Sequence, residues 1–147
     1  MLLKTTLATS LIALAGLAHA QMTPTGLWKT IDDDSKKEKS LVRITESNGV
    51  FSGRIEKLLD PASDPKAVCD KCSDDRKDKP IVGMEILRGV RKAGSDNLWD
   101  SGTILDAAEG KVYKVRLSPA DGGKKLEVRG YVGMPMLGRT QTWIRIE

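Results

Sequence analysis

The chain has 147 residues, of which 39% are hydrophobic and 30% charged, with a formal net charge of +4. That length holds one core, and so mild a balance, with no basic stripe interleaved with aromatics, gives no nucleic-acid-binding signature. The single histidine, His19, lies in a segment unlike the rest. Lys4 is the only charge of residues 1–20, an apolar run from Leu7 to Leu17 follows, and Ala18-His19-Ala20 places small residues where a signal peptidase reads them. This predicts a secretory signal peptide cleaved after Ala20, and a periplasmic or secreted domain at 21–147. The run is about half of the roughly 20 residues a bilayer-spanning helix requires, so no transmembrane segment is predicted. With His19 removed, imidazole-based Ser-His-Asp and Cys-His catalysis is excluded, as is the commonest zinc and copper ligand.

Beyond residue 20 the helical period is nearly absent and short alternating runs recur. Strands are predicted at 26–31, 40–45, 50–58, 82–90, 98–105, 111–117, 126–131 and 140–146. Ser47-Asn48-Gly49, Ala93-Gly94-Ser95-Asp96-Asn97, Glu109-Gly110 and Asp121-Gly122-Gly123 are turn formers that join neighbouring strands as hairpins. About eight sequential antiparallel strands point to an all-β, single up-and-down barrel, because closure removes the exposed edges of a meander. A two-sheet sandwich is the alternative. Alternation assigns Val42, Ile44, Phe51, Ile55, Val82, Met84, Ile86, Tyr113, Val115, Leu117, Leu126, Val128, Ile144 and Ile146 to the interior. Arg43, Arg54, Glu85, Lys114, Arg116, Glu127 and Arg129 fall outside. An eight-stranded barrel is either just filled by side chains or holds one small ligand.

Residues 59–80 break the hairpin rhythm. They hold Pro61, Pro65 and Pro80, both cysteines, and a run of alternating charge from Asp70 to Lys79 that carries no net charge. A loop of about twenty residues in a compact domain is functional or tied down. In an exported chain Cys69-Asp70-Lys71-Cys72 most simply forms a disulfide. A redox pair, half of a metal site and free thiols are the alternatives. A redox pair wants a helix N-terminus that nothing here predicts, and a metal site wants ligands that two cysteines do not supply. Asp74, Asp75 and Asp78 lack the glycine turn and closing glutamate of a calcium loop, and Asp32-Asp33-Asp34 reads as a polar hairpin tip. Met134 and Met136 flank Pro135 in a spacing that suits copper(I), though a shaped connection over one barrel end explains them better. Glu85 with Asp100 or Asp106 could make a carboxylate pair, which a sequence alone does not place together. No metal or cofactor is predicted.

Gly26-Leu27-Trp28 opens the first strand and Trp143-Ile144-Arg145 lies in the last. In an up-and-down barrel these strands pair, so Trp28 can meet Arg145 or Arg139, guanidinium over indole, with Gly26 bending the chain beneath the ring. A Gly-x-Trp at the start and an arginine near the end resemble the signature of the lipocalin, or calycin, superfamily, in which that pair closes the barrel's narrow end. A wider match runs through Gly26-Leu27-Trp28-Lys29-Thr30, Gly53-Arg54-Ile55, Cys69-x-x-Cys72, Pro80-Ile81-Val82-Gly83 and Trp99-Asp100-Ser101-Gly102. It continues through Gly110-Lys111-Val112-Tyr113, Arg129-Gly130-Tyr131-Val132-Gly133 and Leu137-Gly138-Arg139-Thr140-Gln141-Thr142-Trp143. These blocks, in this order, resemble the bacterial exported family of unknown function numbered 2147. The resemblance implies export, a small barrel and the C-x-x-C as a family feature, and carries no catalytic residue.

The function expected is non-enzymatic binding of a small apolar or amphipathic ligand at the barrel mouth, lined by Met84, Tyr113, Val128, Met134 and Met136. Two alternatives accompany it. One is an envelope interaction module using an exposed Trp99 turn or the 59–80 loop, and the other is thiol-disulfide chemistry at Cys69 and Cys72.

Overall fold

The structure, a computed structural model, describes residues 22–94 and 97–147. The expected signal peptide and its cleavage point lie outside these residues, as do Ser95 and Asp96 of one expected turn. Eight antiparallel strands close into a barrel: β1 (Gly26–Ile31), β2 (Glu38–Ser47), β3 (Val50–Leu58), β4 (Glu85–Lys92), β5 (Trp99–Asp106), β6 (Lys111–Ala120), β7 (Lys125–Tyr131) and β8 (Arg139–Arg145). Each strand pairs with the next in sequence, and β8 returns to β1 through Trp28 opposite Arg145 and Lys29 opposite Ile144. The barrel expectation therefore holds. Asn48 and Gly49, both at positive φ, make the two-residue turn between β2 and β3 that matches strand twist.

Closure is built at one end. Arg145 stacks its guanidinium 4.2 Å from the centre of the fully buried Trp28 ring. Its nitrogens donate to the backbone carbonyls of Gly123 (2.5 Å), Thr25 (2.7 Å), Thr23 (2.9 Å) and Glu147 (3.2 Å). Trp28 Nε1 donates to the Pro24 carbonyl at 2.8 Å. Gly26 lies beneath at φ +135°, where a Cβ would collide with Arg145 Nη1 and the Glu147 carbonyl, so only glycine fits. Of the two arginines considered from sequence, Arg139 is not the closing one. It sits at the opposite end and pairs with Asp33 and Asp34, each at 2.7 Å, because β8 runs from the mouth toward the closed end.

The core fills the closed half with Trp28, Ile44, Phe51, Val90, Trp99, Leu117 and Leu126, all buried. Phe51 meets Trp99 edge to face at 6.2 Å, so the expected exposed Trp99 turn is corrected: that ring is interior. Three further assignments change. The strand expected from residue 82 begins at Glu85, since Ile81 to Met84 closes a turn (Met84 N–H to the Ile81 carbonyl, 3.1 Å), and Val82 is exposed. In β4 the inward set is Ile86, Leu87 and Val90: the step from Leu87 to Val90 faces the shorter step from Gly53 to Phe51, and Gly89 at φ +68° takes up the extra residue. In β8 the pairing of Leu126 with Trp143 turns Trp143 inward, leaving Ile144 half-buried and Ile146 exposed.

The connection between β3 and β4 is held along its length. Cys69 and Cys72 form a disulfide, both buried, Val68 bridges Pro80, and the Cys69 N–H and carbonyl bond to Lys79 and Asp78 at 2.9 and 2.8 Å. Buried Arg76 holds Asp74 through Nε at 3.1 Å and Nη2 at 2.5 Å and donates to the Glu85 carbonyl at 2.9 Å. Arg88 of β4 grips both oxygens of Asp75 at 2.9 Å and Glu85 at 2.7 Å. Gly110 of the β5–β6 turn lies so close under the Lys71 carbonyl that a Cβ would overlap it. The loop is thus docked on the barrel rim.

Replacing Trp28 by alanine should cost about 3–5 kcal/mol in denaturant unfolding, the range for emptying a buried large aromatic site; a loss below about 1 kcal/mol would contradict the closure role. The Arg76 guanidinium lowers the Asp74 carboxyl from 3.8 to about 2. A depressed folded pKa adds stability above the unfolded value and loses it as pH falls through the folded one. Stability of the wild-type chain should therefore decline between about pH 4 and pH 2, and Asp74→Asn should flatten part of that decline. An unchanged slope in acid titrations of the two proteins would contradict the pairing.

Candidate functional site

The half of the barrel away from Trp28 is not filled. A cavity of about 700 Å3 opens at the end formed by the β1–β2, β3–β4, β5–β6 and β7–β8 connections. Cavities of this size hold small molecules. Its floor is apolar, made by Ile55, Ile86, Ile104, Leu105, Val128 and Trp143. Gly130 keeps it open: an added Cβ would lie in ordinary contact with Tyr113 and Ile104 at 3.6 and 3.7 Å, so a larger side chain would project into the space.

Above the floor the walls turn polar. The buried hydroxyls of Thr30 and Ser40 are 2.8 Å apart and bond to each other, which leaves one hydroxyl proton of the pair for another acceptor. Gln141 Oε1 accepts from Trp143 Nε1 at 3.0 Å. At the rim Asp32, Asp33, Asp34, Asp64, Asp106 and Glu109 face the opening with Lys39 and Arg139. Asp32 is held well ionised, its carboxyl lowered by hydrogen bonds from Ser35. Lining of this kind suits a molecule with an apolar body and a polar end.

Of the residues expected to line the mouth, Tyr113 and Val128 do so. Met84 is buried in the core, its carbonyl bonded to the Ile55 N–H at 3.0 Å, and lies outside the lining. Met134 and Met136 are exposed on the outside of the β7–β8 connection, and Val132 and Leu137 of that connection reach the cavity instead. Sequence reasoning missed Thr30, Ser40, Gln141 and Trp143. Alternation through Ser40, Val42 and Ile44 places Ser40 inside, so that signal was present. For Gln141 and Trp143 the neighbouring isoleucines, Ile144 and Ile146, suggest the opposite parity.

The disulfide bears on the remaining alternatives. Both sulfurs are buried, whereas thiol-disulfide exchange needs an accessible one, and among the described residues no cysteine is free. No group of three or more potential metal-ligating side chains occurs among the described residues, and no helix among them is long and apolar enough to cross a membrane.

Among solved structures, the chain is similar to protein HP1028 from the human pathogen Helicobacter pylori, described as belonging to the lipocalin family. The two are 23% identical, with a TM-score of 0.72 over 86% of this chain and 84% of that one. The likeness is one of fold. No curated protein matches the chain. The family model described as an uncharacterized protein conserved in bacteria (DUF2147) spans residues 26–145, from the first strand of the barrel to the last, and the chain belongs to that family.

Proposed function

We propose that this protein is an exported, non-enzymatic carrier or sensor that binds one small apolar or amphipathic molecule inside its barrel. The observation that supports it most is the 700 Å3 cavity with an aliphatic floor, set above a closed and packed end. A filled eight-stranded barrel would need no such space. The polar wall formed by Thr30, Ser40 and Gln141, and the carboxylates above it, favour a ligand whose apolar part goes in first and whose polar end stays at the mouth. The buried disulfide then serves to hold the β3–β4 loop as one wall of that mouth, through Ser63, Asp64 and Ala67.

The neutral dye N-phenyl-1-naphthylamine should gain fluorescence saturably on mixing with the protein and be displaced by a medium-chain alcohol. Gly130→Leu should weaken its binding at least about tenfold, which is about 1.4 kcal/mol, while the far-UV spectrum and melting temperature stay near wild type. No saturable signal, or equal affinity in a folded Gly130→Leu protein, would sink the proposal. Export has its own check: protein recovered from the envelope fraction of a bacterial host should have the mass of residues 21–147, and intact chain confined to the cytosol would contradict it.

A further inference from the structure

The four connections around the mouth differ in chemistry. Those after β1, β3 and β5 carry Asp32, Asp33 and Asp34, then Asp64, then Asp106 and Glu109 toward the opening. The fourth, between β7 and β8, carries no acid; from Val128 to Ile146 the sequence contains no Asp or Glu at all. It exposes four large apolar side chains on one short stretch of chain: Val132 (69%), Met134 (55%), Met136 (70%) and Leu137 (74%). Scattered exposed apolar residues are ordinary, but a contiguous group on one loop marks a contact surface.

The loop is rigidly presented. Pro135–Leu137 forms a 3-10 turn, and Arg129 donates to the Pro135 carbonyl at 2.6 Å, the Met136 carbonyl at 3.3 Å and Thr140 Oγ1 at 2.7 Å. Directly beside it the outer face of β6 and β7 pairs Lys114 with Tyr131 and Arg116 with Arg129, and Arg116 lies 6.0 Å over the Tyr131 ring. Lys111 to Ala120 of β6 also lacks an acid; Lys111 makes one long, exposed ion pair with Glu109 at 3.8 Å, and neither Lys114 nor Arg116 makes an ion pair among the described residues. A thioether and aliphatic tip backed by cations, with an aromatic ring between them, has the chemistry of a surface that enters the headgroup region of an anionic bilayer. On the loop's other side the acids of the β1–β2 turn, Asp33 and Asp34, are paired with Arg139.

We propose that the β7–β8 loop, together with Lys111, Lys114 and Arg116, docks the barrel on an anionic lipid surface. Val132 and Leu137 belong both to the loop and to the cavity lining, so docking brings one side of the mouth to the headgroup region, while the carboxylates of the other three connections stay in water. The docking itself does not depend on what the cavity holds.

The test is flotation of the 21–147 chain, whose strand ladder closes within residues 26–145. The vesicles are phosphatidylcholine alone, or the same with about a third phosphatidylglycerol. The chain should float with the anionic vesicles only, and lose binding at high salt. Met136→Ser with Leu137→Ser should reduce partitioning at least about tenfold, and Lys111→Gln with Lys114→Gln by about fivefold per cation removed. Because these side chains are exposed, near-UV circular dichroism should be unchanged, and either variant alone suffices if the other fails to fold. Absence of wild-type flotation would overturn the proposal, as would equal flotation of the folded variants. A dimer in light scattering that Met136→Ser with Leu137→Ser dissociates, without vesicle binding, would overturn it in favour of self-association. Dye binding by the wild-type chain is read in a separate experiment, so these outcomes leave the cavity reading to stand or fall on its own.

Discussion

Arg145 against Trp28 is the contact on which the rest of this barrel depends. It joins the last strand to the first, covers one of the three tryptophans of the core, and collects the carbonyls of Thr23, Thr25, Gly123 and Glu147 around one cation. A guanidinium is suited to this work because it remains charged even where burial lowers its pKa, as it does here, and because its planar face stacks while its edge donates. With that end sealed and packed by aromatics, the barrel can leave its other half unfilled.

The two halves are made from the same strands but different side chains. Toward the closed end the inward positions are Trp28, Phe51, Trp99 and Leu117, bulky enough to meet across the barrel. Toward the mouth they become Thr30, Ser40, Gly130 and Gln141, which are small or polar. The core is therefore a plug rather than a continuous filling. The mouth takes its shape from the connections. The disulfide, the Arg76–Asp74 pair and Arg88 on Asp75 hold the β3–β4 loop on one side. Arg139 ties the start of β8 to the β1–β2 turn on the other, through Asp33 and Asp34.

Much of this was legible from residue order. Turn formers such as Asn48-Gly49 separated runs with a period of two, and neither the number of strands nor their sequential pairing needed long-range information. Gly26, Trp28 and the C-x-x-C were readable for a similar reason: each is a local pattern whose chemistry has few uses. The site was read less well. Ile144 and Ile146 suggest one parity for β8, yet Trp143 opposite Leu126 decides which face is inward. In β4 an extra residue at Gly89 changes face midway, and counting by twos has no means of detecting it. Met134 and Met136 were hydrophobic and close to the mouth in sequence, but Arg129 fixes the turn so that they point outward.

By itself the sequence determined an all-β chain of about eight sequential strands, the residues able to close it, and a cysteine pair whose simplest use is to pin its long loop, because alternation, turn chemistry and short motifs act over a few residues. Only the tertiary structure decided that Arg145 rather than Arg139 lies over Trp28, that the mouth half is hollow, and which side chains line it. Those outcomes depend on strand direction, register and bulges accumulated around a closed circle, and a shift of one residue in any strand exchanges what faces the cavity for what faces water.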